Sequence, residues 1–421
     1  MPVANKGEEA IVRGIEDMLS DDRPVRIGLF DDVEEVTYRD TLTIFPRKWV
    51  FRYEGKLRLS KWQNHLFDAL VCVQMRFGNY SKLQHLVSSS DQKYHLLQDF
   101  FNRADYVLVG HDSVFCAESC GVIHLAMKAG KCTGILGSST GIGVKERVYK
   151  GWLYRRALQE SRFCVFRERY TLRNIEQVCL TPAKLIAAPD PAFAMRPAEP
   201  LAVRKVLERY ERYQRAKGLG KNVVGATVLE KGEVFAGFRP ELIGTEKRKA
   251  HAKYLAVIFD SLIKERNAFV VFLPHSIEKG CSDITAAKHV AEEMTSEPGN
   301  YIVIDEDLPA RLLKGIIREC DFLVGERTHS LIGSISVNTP FLALTNRRDL
   351  RTHGIIGDMC QLEDQIADID VLDEQQIRQK ALSIFDSRQS IERSLRHTNE
   401  KIAERLAEVS RIIKSSNTRI H

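Results

Sequence analysis

Residues 321–345 read DFLVGERTHSLIGSISVNTPFLALT, a stretch that compresses a strand, a charged turn, a helix and a second strand into one unit. Phe322, Leu323 and Val324 form a short apolar run of buried-strand type. Leu331, Ile332, Ile335 and Val337 then follow helical spacing until Asn338-Thr339-Pro340 ends it. Glu326, Arg327, Thr328 and His329 occupy the turn between. A strand feeding a helix leaves free backbone N–H groups and the positive end of the helix dipole at such a turn, which suits an anion. Arg327 adds a guanidinium able to grip a carboxylate or phosphate through two parallel charge-assisted bonds, each worth roughly 1.5–3 kcal/mol. His329 adds a group that moves a proton near neutral pH. The turn reads as a site that binds an anion and transfers a proton. The alternative is a Glu326–Arg327 ion pair with His329 capping the helix.

Working outward, the second half alternates throughout. Strands are predicted at 223–228, 269–273, 301–304 and 341–344, with helices at 247–264, 284–294 and 309–317 between them. Strands alternating with helices imply a parallel, doubly covered sheet of Rossmann type, whose ligand sits outside the carboxyl ends of the strands. Pro274-His275-Ser276 and 326–329 both fall there. After Leu362 the pattern becomes a long amphipathic helix, with Ile391, Leu395, Ile402, Leu406, Val409 and Ile413 recurring three, four or seven residues apart. This tail is expected to pack across two domains, a dimerising coiled coil being the alternative.

The first half is α/β in character but less regular. It opens on Asn5-Lys6-Gly7-Glu8-Glu9-Ala10, a glycine turn entering a helix; the buried strand expected before such a turn has only residues 1–4 to form it, so either the start lies upstream, or the sheet is complete without that strand, or Asn5 is a cap-like turn residue. Val25–Phe30 reads as a strand. The segment 31–91 carries aromatics beside cations (Arg47, Trp49, Arg52, Tyr53, Trp62), which suit sugar stacking or a partly exposed packing surface. A strand at 106–109 ends at Gly110-His111-Asp112-Ser113. Those residues do not form a hydrolase triad, because sequence neighbours cannot adopt the relay geometry and no GxSxG is present. Strand 132–136 runs into the small-residue loop Gly137–Gly143, and strand 163–166 ends at Arg167-Glu168-Arg169. Asp190-Pro191-Ala192-Phe193 closes the half. The expected domains are 1–200, a linker at 201–221, 222–362, and C-terminal helices at 363–421.

Composition narrows the class. The chain of 421 residues is 44% hydrophobic and 28% charged, as in ordinary globular proteins. Its net charge of +6 is scattered, which argues against nucleic acid and leaves small anions welcome. Nine cysteines, in no CxxC pair, point to reduced thiols and a cytoplasmic location. No apolar run reaches the roughly 20 residues that span a bilayer, so membrane contact is peripheral at most. No metal-ligand spacing stands out, and Cys116 with Cys120 makes a poor site.

These motifs, in this order, resemble the polysaccharide pyruvyl transferase family. Asn5-Lys6-Gly7-Glu8-Glu9-Ala10 is similar to its opening Asn-x-Gly-Asp-Glu-Ala, and Phe166-Arg167-Glu168 with Thr171 to its Arg-Asp/Glu motif. Asp190-Pro191-Ala192-Phe193 and Gly325–Ile332 with Asn338-Thr339-Pro340 match it most directly. The resemblance implies two Rossmann-like domains in a GT-B-like arrangement, the first on the acceptor side and the second on the donor side. It implies an enzyme of exopolysaccharide and other cell-surface polysaccharide biosynthesis, with phosphoenolpyruvate as donor substrate and no cofactor. The enolpyruvyl group would pass to a sugar or lipid-linked oligosaccharide, forming a pyruvate ketal. By the same carry-over His329 is the catalytic acid. Arg167, Arg327, Thr328, Glu326, His275, Asn5, Gly7 and Gly110 contact substrate, and Asp283 lies in the comparable donor-side loop. The departures fall mainly on the acceptor half: Gly110-His111-Asp112 replaces a triple glycine, the 137–143 loop lacks a proline, Glu8 stands for Asp, and a family lysine is replaced within 346–348. Nothing in the sequence specifies the sugar, its carrier or an oligomeric state. Two rivals remain: a GT-B glycosyltransferase in which Glu326 holds ribose hydroxyls and Arg327 a diphosphate, and a non-catalytic scaffold.

Overall fold

The structure is a computed structural model that describes residues 5–20, 25–31, 35–39, 41–46, 95–110, 117–139, 148–176, 185–277, 280 and 282–417. Arg47, Trp49, Arg52, Tyr53, Trp62, His111–Ser113, Cys116 and 140–143 lie outside the described residues. The chain forms two compact units, one of residues 18–190 with 405–421, the other of 3–17 with 191–404.

The opening helix α1 (Lys6–Leu19) begins the described chain. The first unit holds a small sheet of β1 (Ile27–Asp31), β2 (Thr37–Arg39) and β3 (Leu42–Pro46), with β1 parallel and β2 antiparallel to β3. Its main sheet is parallel, and β4 (Tyr106–Gly110), β5 (Cys132–Ser138), β6 (Phe163–Phe166) and β7 (Leu185–Ala187) lie in sequence order. Helices alternate with these strands, as the buried runs predict. Val109, Ile123, Ile135, Leu153, Leu158 and Phe166 form its core.

The second unit is a six-stranded sheet of β8 (Asn222–Thr227), β9 (Ala268–Phe272), β10 (Tyr301–Val303), β11 (Phe322–Gly325), β12 (Phe341–Thr345) and β13 (Ile366–Asp368). Every pairing is parallel, and the order is β10-β9-β8-β11-β12-β13. This is the doubly wound Rossmann order, in which the winding reverses between β8 and β11 and opens a crevice at their carboxyl ends. The helices that serve the site are α2 (Gly244–Arg266), α3 (Asp283–Glu293), α4 (Ala310–Arg318) and α5 (Thr328–Ser336). The last helix, α6 (Arg388–Asn417), buries Ile391, Leu395, Ile402, Leu406, Val409 and Ile413, the six positions its periodicity selects.

Three sequence expectations change. The second sheet does not end at 362, because Ile366–Asp368 adds a sixth strand; three residues at a sheet edge leave no apolar run to detect. The segment 201–221, a charged helix-like run expected to link the two domains, is helical but belongs to the second unit. It forms helices Pro200–Leu207 and Glu211–Gly218, which bury Val203, Val206, Leu207, Tyr213 and Ala216 within the second unit. And α1 belongs through Asp17 to the second unit rather than the first. Arg311 of α4 grips the Asp17 carboxylate at 2.7 and 3.0 Å, and Gly14 lies so close to the Pro191 carbonyl that a Cβ there would sit 1.9 Å from its oxygen.

The 3-10 turn Pro191–Ala194, against which Gly14 packs, ends with carbonyls that need donors. Lys314 supplies them: its buried Nζ donates to the carbonyls of Ala192, Phe193 and Met195. Burial pushes this amine down to about 7. Lys314→Met would strand those carbonyls, and an unsatisfied buried acceptor costs about 1–3 kcal/mol. The expected outcome is a loss of about 2–4 kcal/mol of unfolding free energy, seen as a lower urea midpoint at unchanged slope.

Candidate active site

The carboxyl ends of β8, β9 and β11 bring three helix N-termini to one place, all within the second unit. Asp283 is the first residue of α3, and Thr328 and His329 are the first two of α5. Lys6 and Gly7 open α1, whose Lys6 N–H donates to the His275 carbonyl at 2.8 Å. An isolated antiparallel bridge joins Asn5 to Ser276. Converging helix starts create a positive potential from N–H dipoles, the environment in which an anion is stabilised.

Asp283 is the fixed point of this arrangement. Its Oδ2 accepts from the backbone N–H of His275 and of Ser276, both at 2.9 Å, and from Arg327 Nε at 3.1 Å. Its Oδ1 accepts from Arg327 Nη2, so the guanidinium is held through two nitrogens. Burial pushes the Asp283 carboxyl up, while Arg327 and the two N–H groups pull it down. Burial outweighs these, leaving the carboxyl above its ordinary value, and the four donors, two of them from the guanidinium, offset part of the cost of its charged form. Arg327 is thereby aimed without being used up. Its side chain is 22% exposed, and Nη1 donates to no group among the described residues. That free edge can grip an incoming oxyanion.

His329 lies under α1. A Cβ on Gly7 would stand 2.3 Å from His329 Nδ1, so only glycine lets the helix start rest on the imidazole. Asn5 Oδ1 accepts the Gly7 N–H at 3.1 Å and Asn5 Nδ2 donates to Glu8 at 3.2 Å, which fixes the first turn. Thr328 Oγ1 meets Thr352 Oγ1 at 3.0 Å, and Thr352 donates to the buried Asp349 carboxylate at 2.8 Å. His275 is 7% exposed, and burial with the nearby charges of Arg327, His329 and Lys6 pushes its imidazole down to about 3. It is therefore neutral at physiological pH and no proton donor there. It serves the site through its backbone.

Glu326 turns away from Arg327. Its Oε2 accepts the Leu229 N–H and its Oε1 meets His251 Nε2, both at 2.7 Å. Arg327 and Glu326 do not pair; Asp283 takes the role assigned to that neighbour. In the first unit Arg167 is 1% exposed, donating from Nε to Ser139 at 2.7 Å and from Nη1 to Asp190 at 3.0 Å. Burial raises the Glu168 carboxyl beside it, which bonds Thr171 and Ser139. Gly110 ends β4. The structure thus gathers Asn5, Gly7, His275, Arg327, Thr328 and His329 around one point. Arg167 lies in a buried network of its own unit. His251 escaped sequence reading, since one histidine in a 23-residue helix carries no signal.

A doubly wound α/β chain with a cationic site at the strand-order reversal belongs to a broad fold class. Two solved structures with that fold are a trehalose-6-phosphate synthase (11% identity, TM-score 0.51, covering 98% of this chain and 94% of that one) and a UDP-N-acetylglucosamine 2-epimerase from Listeria monocytogenes (10%, 0.51, 99% and 94%). A UDP-forming alpha,alpha-trehalose-phosphate synthase from Burkholderia xenovorans is similar at 10% identity and TM-score 0.50, with 93% of each chain covered. The chain shares with them the GT-B class of α/β fold. Within that class, its sequence matches the polysaccharide pyruvyl transferase profile over residues 5–348, and the chain belongs to that family of enzymes. No curated protein sequence matches it.

Two outcomes follow from this geometry. Gly7→Ala drives a methyl into His329, an overpacking that costs about 1–3 kcal/mol, so its melting temperature falls and ligand binding at the site weakens. Because the His275 imidazole is pushed down, the unfolded chain binds a proton at a pH where the fold does not. Stability therefore falls as pH drops from about 6.5 towards 3, and His275→Asn flattens that part of a urea-midpoint profile against pH.

Proposed function

We propose that this enzyme transfers the enolpyruvyl group of phosphoenolpyruvate to a sugar, forming a pyruvate ketal during cell-surface polysaccharide assembly in the cytoplasm. The observation that carries the reading is Arg327, oriented by Asp283 through Nε and Nη2 with Nη1 open, one residue from Thr328 and two from His329 at a helix start. A bidentate-capable cation beside free N–H dipoles suits the carboxylate or phosphate of phosphoenolpyruvate. His329 then gives its proton to the methylene carbon, C3. Positive charge develops at C2, and a sugar hydroxyl attacks it while His329 recovers a proton. The C2–O bond to phosphate then breaks, a second hydroxyl attacks C2, and its proton passes to the departing phosphate as the ketal closes. Such proton transfer contributes roughly 10²–10⁴ in rate. Arg167 takes part in donor binding only if it gives up Asp190, so the reading rests on Arg327.

The acceptor is a sugar or lipid-linked oligosaccharide. Among the described residues no helix is long and apolar enough to cross a membrane. The nucleotide-sugar alternative draws on the fold of the trehalose-phosphate synthases and the epimerase. It needs Glu326 for ribose hydroxyls, and the engagement of both Glu326 oxygens by His251 and Leu229 counts against it.

The decisive experiment is thermal unfolding with and without phosphoenolpyruvate. At about 100 times its dissociation constant the ligand adds roughly 2.7 kcal/mol. Wild type and His329→Ala are expected to be stabilised, Arg327→Ala is not, and His329→Ala is expected to lose transfer by at least about 10²-fold. Stabilisation by a UDP-sugar instead of phosphoenolpyruvate would overturn the reading.

A further inference from the structure

Glu326 precedes the anion-gripping arginine, and both of its oxygens are spoken for inside the domain. The backbone is still extended at Arg327, with φ −94° and ψ 113°. In extended chain, neighbouring side chains project to opposite sides. Glu326 therefore points back into the unit while Arg327 points towards Asp283. The inward anchor is well built. Glu326 and His251 are each 3% exposed and meet at 2.7 Å. The His251 ring is fixed by edge-on contacts with Phe235 and Phe238, each at 5.2 Å between centroids. Around it the end of β8 is laced to the same turn. The Glu326 N–H donates to the Thr227 carbonyl at 2.9 Å, Thr227 Oγ1 meets Ser330 Oγ at 2.7 Å, and Ser330 Oγ donates to the Arg327 carbonyl at 2.7 Å.

We infer that His251 is a positioning residue: through Glu326 it sets the backbone from which Arg327 projects, and hence the direction of the guanidinium edge that takes the anion. The part of this that concerns phosphoenolpyruvate rests on the function proposed above. The positioning itself does not. The hydrogen bond needs a donor at the Nε2 position, and Glu230, which lines the same cavity as His251, is paired with Arg248 at 3.2 Å. Without the donor, the buried Glu326 carboxylate next to Arg327 keeps only the Leu229 N–H on Oε2, and its Oε1 loses its partner. The turn must then rotate to find another, the guanidinium itself being one sequence position away. A displacement of about 1 Å in a substrate-positioning group is enough to cost roughly 10²-fold.

The test uses the full chain, with the side-chain Nε–H resonance of Arg327, identified by its absence in Arg327→Lys, read in parallel with phosphoenolpyruvate affinity. Wild type, His251→Ala and His251→Gln are compared, since the glutamine amide supplies an N–H where Nε2 stands. His251→Asn, whose amide stops short of Oε1, replaces the alanine variant if that variant does not fold. His251→Ala is expected to move or broaden the Arg327 signal and to weaken phosphoenolpyruvate binding roughly 10- to 100-fold. His251→Gln returns both towards wild type. An Arg327 signal unchanged in a folded variant lacking the donor overturns the inference, as does a glutamine variant that is folded and as impaired as alanine. If wild type binds no phosphoenolpyruvate, the proposed function fails, and the Arg327 resonance still decides the positioning role.

Discussion

One carboxylate organises the second unit. Asp283 accepts from two consecutive backbone N–H groups after β9 and from two nitrogens of Arg327 after β11, while sitting at the first position of α3. It therefore ties two crossover loops to one helix start at the point where the sheet changes winding direction. The residues it bonds are the same ones that seat α1, through the His275 carbonyl and the Ser276 bridge to Asn5. Because the group is buried, its four donors are a requirement rather than an ornament. Breaking a buried charged pair typically costs about 3–5 kcal/mol, since the remaining charge is left without solvent. An aimed but incompletely bonded arginine is a by-product of that requirement, and its Nη1 is left able to take an anion.

The two arginines singled out in the sequence meet different ends. Arg327 keeps an open edge, whereas Arg167 is enclosed by Ser139, Glu168 and Asp190. Both stand at the carboxyl end of a parallel strand before a helix, so position alone does not separate an arginine with an open edge from an enclosed one. What separates them is burial: two nitrogens of each are engaged, but the Arg167 side chain is 1% exposed and that of Arg327 22%. In the first unit Asp190, the opening residue of the Asp-Pro-Ala-Phe motif, takes the guanidinium edge that Asp283 leaves free on Arg327.

Much of this was legible because fully buried parallel strands are written as uninterrupted apolar runs. Phe322–Val324, Phe269–Leu273 and Phe163–Phe166 announce themselves, and the turns after them point to the site. The sixth strand was not legible, as a three-residue edge strand competes with no helical pattern. The pairings were also hidden: Arg327 finds Asp283 across 44 positions and Glu326 finds His251 across 75. Side-chain partners fixed by a fold leave no periodic trace. Adjacent charges such as Glu326 and Arg327 invite the reading of a local pair, which the extended backbone between them forbids.

The seating of α1 bears on how the chain comes to be folded. Lys6 pairs with Asp307, 301 positions downstream, and Asp17 is held by Arg311, 294 positions downstream. A helix of 14 residues is marginal by itself in water. Contacts of such separation form late, after loop closure over most of the chain. During synthesis the opening segment waits, its apolar face uncovered, until more than 300 residues have followed. A candidate site completed by α1 is thus among the last parts of the molecule to form, so that His329 is covered only in chains whose later half has already folded.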